Sequence, residues 1–272
     1  MRPVRPLLWG FLLVTGSFLA GGPALLGPAL LGPRFATAAA PAELPSGPSF
    51  RVETELFEGD AVQPAARHLI LFDAGVIYDI RLDSGRTATL YDPTRQRVIL
   101  IDRVRKQQTV VATEDLLRAT AQLRGAAEQQ GKGEAFGLNA KVQPVTPKEP
   151  SELPSLQIEF GNVLYTATTQ PVSKPQLAQA YHAFATLAAQ LNVVRRRGVP
   201  PFARMTLGEQ IAAAGEIPLE LKLEVWSGIK KERYRAHHLV VEQLSELDRK
   251  RIAEIGRDLA QCEEVSLDQF AE

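Results

Sequence analysis

Four histidines, His68, His182, His237 and His238, are the side chains in this sequence best suited to proton transfer or metal binding. The adjacent pair invites a metal reading. Neighbouring side chains on a strand point to opposite faces, however, so one ion cannot readily take both. On that alternation His238 shares a face with Tyr234, Ala236 and Val240, and His237 with Arg233, Arg235 and Leu239. The expectation is a packed His238, a solvent-facing His237 and no metal site. Asp92, Asp102, Glu159 and Glu224 are the carboxylates to consider for catalysis. No spacing pairs any two of them, so each is expected in a turn or in solvent.

Arg195, Arg196 and Arg197 form the densest positive cluster and a candidate anion site for a lipid headgroup or polyanion. The competing reading makes them the basic end of the preceding helix, facing its negative dipole end. Cys262 is the sole cysteine, so no intramolecular disulfide can form. It continues the helical spacing of Ile252, Ile255 and Leu259, as a buried, inert thiol would. There is no Walker A loop, no Gly-x-Ser-x-Gly elbow and no His-Glu-x-x-His, and one cysteine rules out paired-cysteine metal patterns. No catalytic residue, cofactor or metal is assigned.

The elements that carry these residues are short and apolar. The chain has 272 residues, 45% hydrophobic and 23% charged, ample for a buried core. Lys plus Arg and Asp plus Glu both number 31, so the whole chain has no basic footprint for nucleic acid. From Phe50 to Leu56 apolar residues and Thr54 alternate with Arg51, Glu53 and Glu55, the period of a half-buried strand. Runs at 68–72, 76–82, 87–91, 97–101 and 109–112 follow, separated by turn residues such as Asp73-Ala74-Gly75 and Asp92-Pro93-Thr94. This is an antiparallel meander. Val98 and Leu100 point one way and Ile99 and Ile101 the other, so these strands need cover on both faces. Helices on one and a closed or curved sheet on the other would supply it.

Thr113 is placed to cap a first helix with the stripe Leu116, Thr120, Leu123 and Ala127. Residues 131–154, rich in Gly and Pro, read as a long loop and the best candidate for a mobile lid. Strands are expected at 156–160 and 163–168. Leu177, Tyr181, Phe184, Ala188 and Leu191 mark the clearest amphipathic helix, with Pro175 at its start. A short helix at 207–214 precedes a hairpin of 219–226 with 231–242. Ser245 and Asp248 resemble a capping box for a last helix to about Cys262. The fold class is α+β: a curved, mostly antiparallel, half-barrel-like sheet with helices packed on one face. One domain spans 50–262, followed by a tail at 263–272.

Residues 1–38 differ from the rest. Arg2 and Arg5 precede the apolar run from Leu7 to Ala20, and Ala36-Thr37-Ala38 fits the small-x-small pattern of a signal peptidase. Cleavage there removes three of the 31 basic residues, leaving a slightly acidic chain with 28. The alternative is an uncleaved anchor, since no charge interrupts Leu7 to Gly32. Pro23 and Pro28 weaken a continuous helix there. Residues 39–49 read as a linker. The expected place is the periplasm or cell envelope, with membrane contact only through the N-terminal segment if it stays uncleaved.

The order of strands and helices over Phe50 to Glu242, with an export signal, resembles the lipoprotein-carrier fold. That resemblance implies a half-open antiparallel barrel closing over helices and holding acyl chains. Tyr91-Asp92-Pro93, Arg97 to Asp102, Leu191-Asn192, Pro200 to Arg204, Ile217-Pro218 and Asp248 to Ile252 resemble a family of uncharacterised exported proteins of planctomycete-like bacteria. This second resemblance implies an envelope location and no known activity.

Together these readings lead to a non-enzymatic envelope protein that binds a lipid or other hydrophobic ligand in a curved sheet. The candidate lining residues are Leu69, Leu71, Ile77, Val98, Leu100, Leu164 and Leu223. One alternative is a structural or interaction module that meets an envelope protein through sheet edges or the 131–154 loop. The other is a hydrolase using His238 with Tyr234 or a nearby carboxylate.

Overall fold

The computed structural model describes residues 47–147, 149 and 153–270. The leader or anchor read at 1–38 and most of the 39–49 linker lie outside them. Among the described residues, no helix is long and apolar enough to cross a membrane.

Six strands open the chain: β1 (Phe50–Glu58), β2 (Ala66–Asp73), β3 (Val76–Arg81), β4 (Thr87–Asp92), β5 (Arg97–Asp102) and β6 (Gln107–Ala112). Their turns follow from residue type. Ala74 and Gly75 take φ of 49° and 80°, the two-residue turn whose twist suits a hairpin. Asp92 and Asp102 each shape the turn they open. Asp92 Oδ1 accepts the Arg95 N–H at 3.1 Å, and Asp102 Oδ1 accepts those of Val104 and Arg105 at 3.0 and 2.9 Å. Both carboxylates are buried, and arginines hold them, Arg95 at 3.0 Å and Arg86 at 2.6 Å respectively. They are turn residues.

The remaining elements are α1 (Thr113–Gln129), β7 (Gln143–Val145), β8 (Ser155–Phe160), β9 (Val163–Pro171), α2 (Pro175–Val194), α3 (Phe202–Ala213), β10 (Glu216–Ser227), β11 (Lys230–Val241), α4 (Glu246–Leu259) and β12 (Glu263–Glu264). One open, curved sheet takes the strands in the order β12-β6-β5-β4-β3-β2-β1-β11-β10-β9-β8-β7. Every pairing is antiparallel except β12 against β6. The architecture is α+β.

Local signals decide the helix ends unevenly. The capping box forms as read: Ser245 Oγ accepts the Asp248 N–H at 3.1 Å, and Asp248 Oδ2 accepts the Ser245 N–H at 2.9 Å. Thr113, expected as a cap, is instead the first residue of α1, whose cap position is Ala112 with no side-chain bond. The helix expected from 207 begins at Phe202, directly after Pro201.

Alternation along the strands sorts the core into two faces. Ile70, Phe72, Ile77, Val98 and Leu100 meet Leu116 of α1 and Leu177, Tyr181, Phe184 and Leu191 of α2. Leu69, Leu71, Ile80, Leu90, Ile99 and Ile101 point the other way and meet Ile255 of α4, with Ile252, Leu259 and Cys262 beside it. The second cover for these strands is therefore helix α4, where the sequence suggested a sheet. Farther along, α3 lays Ala203, Leu207 and Ile211 on Ile158, Phe160, Val163 and Tyr165 of β8 and β9.

Described parts of the 131–154 loop and of the tail pack against the core. The loop at 131–154 contains β7, and its Ala140 and Val142 lie against the α3 cluster. The tail after Cys262 supplies β12, and Phe270 is buried in the main core with Val265 and Leu267 against it. Gly137 shows how closely the loop is held. Its φ is 72°, and a Cβ there would lie 2.8 Å from Phe160 Cγ and 3.1 Å from Ala203 Cβ. Strain and clash then add, so Gly137→Ala is expected to cost about 2 kcal/mol or more. The urea midpoint should fall with the slope unchanged.

Candidate ligand-binding groove

Between the territories of α2 and α3 the inward face of the sheet is incompletely covered. Strand register gives its layout. Ala66, Leu56, Ala236, Leu221 and Ala167 stand in one row across β2, β1, β11, β10 and β9. The next row runs Glu58, Tyr234, Leu223, Tyr165 and Ile158. On the other side of the alanine row stand His68, Thr54 and His238.

Over these rows α2 presents Ala185, Ala188 and Ala189 between Phe184 and Asn192. Small residues on the helix thus stand over a row that alternates alanine and leucine, and space is left between them. The result is an open groove of about 590 Å³, with Arg204 of α3 and Arg81 of β3 among its lining. Leu56, one of its apolar walls, keeps 36% of its surface exposed. A second hollow of about 260 Å³ shares Tyr165, Ala189, Asn192, Arg204 and Leu223 with the groove and extends it to Arg197, Val199 and Pro201. Both volumes together lie in the range of small-molecule sites, roughly 300–1,000 Å³.

The residues singled out in the sequence are not brought together. Leu223 lines the groove. Ile77, Val98 and Leu100 are packed solid on the α2 side, and Leu69 and Leu71 lie on the opposite face beneath α4. Leu164 borders a separate hollow of about 500 Å³ lined with Glu134, Asn139, Lys141, Gln143 and Glu159. Apolarity alone selected these seven, and it does not distinguish the two faces of a strand that is apolar on both. None of the described residues of the 131–154 loop lines the groove.

The three arginines also separate. Arg196 and Arg197 close α2: the Arg196 N–H bonds Val193 O at 3.0 Å and the Arg197 N–H bonds Asn192 O at 2.8 Å, with Arg196 at φ 53°. Arg195 is half-buried, and burial together with the Arg197 charge brings its pKa down to about 10. Only Arg197 of the three lines the extended groove.

The polar row carries the histidine chemistry. His238 is 7% exposed; its Nδ1 lies 2.9 Å from Thr54 Oγ1 and its Nε2 lies 3.4 Å from Tyr181 Oη. Burial, then the charges of Arg204 and His237, push its pKa down to about 3. It is therefore a neutral ring that donates at one nitrogen and accepts at the other. His237 faces outward and pairs with Glu220 at 2.8 Å. The Tyr234 hydroxyl donates to Glu232 Oε2 at 3.2 Å, and its row is separate from that of His238. The pairing of His238 with Tyr234 is not formed, and among the described residues no carboxylate orients His238. At the groove edge His68 Nδ1 lies 2.7 Å from Asp79 Oδ1. Burial lowers its pKa, but the Asp79 hydrogen bond and charge outweigh that, and the net shift is upward.

These two histidines make stability depend on pH with opposite signs. Below pH 6.5 the unfolded chain protonates His238 while the folded state resists down to about 3, so this residue costs stability as pH falls through that window. His68 contributes stability that is complete below 6.5 and lost as pH rises through its higher folded pKa. His238→Gln should flatten the acid limb of urea midpoint against pH. His68→Gln should lower the midpoint more at pH 6 than at pH 8.

No family model matches the sequence, and no curated protein matches it. Among solved structures, a LolA superfamily protein from Nitrosomonas europaea aligns with 75% of this chain and 89% of its own, at 10% identity and a TM-score of 0.24. The groove stands on the geometry of this chain alone.

Proposed function

We propose that the protein binds a hydrophobic ligand in the groove between α2 and the sheet, as a non-enzymatic protein of the cell envelope. The carrying observation is the facing of Ala185, Ala188 and Ala189 by Ala66, Leu56 and Ala236 across an open space of about 590 Å³. An ordinary core fills such a space, since each missing methylene costs packing energy. Here alanines make up five of the six facing side chains, and the apolar wall stays open to an apolar guest. Export is supported by the basic start, the apolar run and the Ala36-Thr37-Ala38 pattern.

Fluorescence titration with the neutral apolar probe N-phenyl-1-naphthylamine tests this reading. The protein is expected to bind the probe. Ala188→Phe, which places a ring in the groove, should weaken binding at least tenfold with the urea midpoint retained. Leu100→Ala should do the reverse. Leu100 is 1% exposed in the packed core, so its truncation should cost about 2–5 kcal/mol while leaving probe affinity in place. No binding by the unaltered protein, or equal binding by Ala188→Phe, overturns the assignment.

A further inference from the structure

The groove is apolar along its length but ends on charge, and its cations are not equally satisfied. Arg81 is paired with Asp83 at 2.9 Å. Arg235 lies 4.6 Å from the Phe57 ring centroid and donates from Nη2 to the Ala61 carbonyl, while its buried Nε has no hydrogen-bond partner among the described residues. Arg204 differs. Among the described residues, no carboxylate or carbonyl oxygen takes a hydrogen bond from its guanidinium. Glu58, an acidic group of the groove wall, acts on Tyr234 in the neighbouring strand. Glu209 is exposed on α3 and acts on His182.

Arg204 is nevertheless placed with care. Gly208, one turn farther along α3, leaves room for it: a Cβ at 208 would lie 3.1 Å from Arg204 Nη1 and 2.9 Å from His182 Nδ1. The guanidinium thus folds back toward α2, beside a buried His182 Nδ1 that has no hydrogen-bond partner among the described residues. Burial lowers the pKa of His182 and His238 and raises those of Tyr165 and Tyr181, and the positive charge of Arg204 adds to the first effect and opposes the second. With both histidines kept toward the neutral form, the field at this point stays positive without mutual repulsion. Arg204 borders both the long groove and the smaller hollow, where Arg197 and Asn192 join it.

Resting on the groove reading above, we infer that the ligand is an amphiphile with a long acyl tail and an anionic head, and that Arg204 binds the head. The tail lies along the alanine row under α2. The head, a carboxylate or a phosphate, enters the smaller hollow between Arg204 and Arg197. A planar guanidinium takes two oxygens of either head at once, and charge-assisted bonds of this kind are stronger in a partly dry site than in water. Leaving a half-buried guanidinium without an anion carries a desolvation cost that such a head removes.

Displacement of N-phenyl-1-naphthylamine from the full chain separates head from tail. Hexadecanoate and hexadecyl phosphate are each expected to displace the probe at least tenfold more effectively than hexadecan-1-ol, and acetate or inorganic phosphate should not displace it. Arg204→Gln should abolish the preference for charged heads while keeping the alcohol affinity, and Arg204→Lys should retain part of it. The order of hexadecanoate and hexadecyl phosphate identifies the head. Equal displacement by acid and alcohol, or a preference unchanged in Arg204→Gln, overturns the head site and leaves the groove standing. Failure of the unaltered protein to bind the probe overturns the groove itself.

Discussion

The controlling constraint is that β2 to β5 are apolar on both faces. Alternation sends Leu69, Leu71, Ile99 and Ile101 to one side and Ile70, Phe72, Val98 and Leu100 to the other, and each side needs its own cover. Burying one such side chain is worth about 1.5–3 kcal/mol, so neither face can be left wet. α2 is drawn down on one face by Leu177, Tyr181, Phe184 and Leu191, and α4 closes the other through Ile255. With α2 committed there and α3 committed to β8 and β9, the stretch of sheet between them is left with partial cover. The groove is the remainder of two good packing solutions that do not meet.

The most deeply buried carboxylates, Asp92, Asp102 and Asp248, are each paired with arginine. Asp248 is fully buried under α4, where it closes the capping box and accepts from Arg51 at 3.4 Å. Burial alone would raise its carboxyl pKa, but the bonds from Ser245 and the Arg51 charge hold it low. One residue therefore fixes the start of α4 and ties that helix to β1. Thr54, His238 and Tyr181 do the equivalent across β1, β11 and α2, tying the polar row beside the groove to the helix.

Much of the fold was legible because it is written locally. The meander follows from period-two alternation and from aspartates at turn positions, and α2 and α4 from their stripes and from the Ser245–Asp248 box. Ala188 belonged to the α2 stripe as read, yet its small size, which opens the groove, carried no signal in a count of apolar positions. What escaped was long-range. Ala66, Ala167 and Ala236 are far apart in the chain, and only the register of five strands sets two leucines between them in one row. Arg204 likewise sits in an unremarkable helix, and its role depends on which sheet face α3 meets. The glycines and prolines of 131–154 suggested a mobile lid, and nothing in their spacing showed that Gly137 lets the chain approach Phe160 and Ala203 closely.

β12, the short strand after α4, lies parallel to β6 at the edge of the sheet. It occupies an edge that would otherwise offer unpaired amide and carbonyl groups to other chains. Because α4 and β12 follow the meander by well over a hundred residues, a growing chain displays the β6 edge and the apolar Leu69–Ile101 face until those two elements dock. During that interval β1 also lacks β11, its partner from the far end of the chain. The nascent meander is thus a sticky intermediate. A chain truncated before residue 246 would keep that edge and that face exposed permanently.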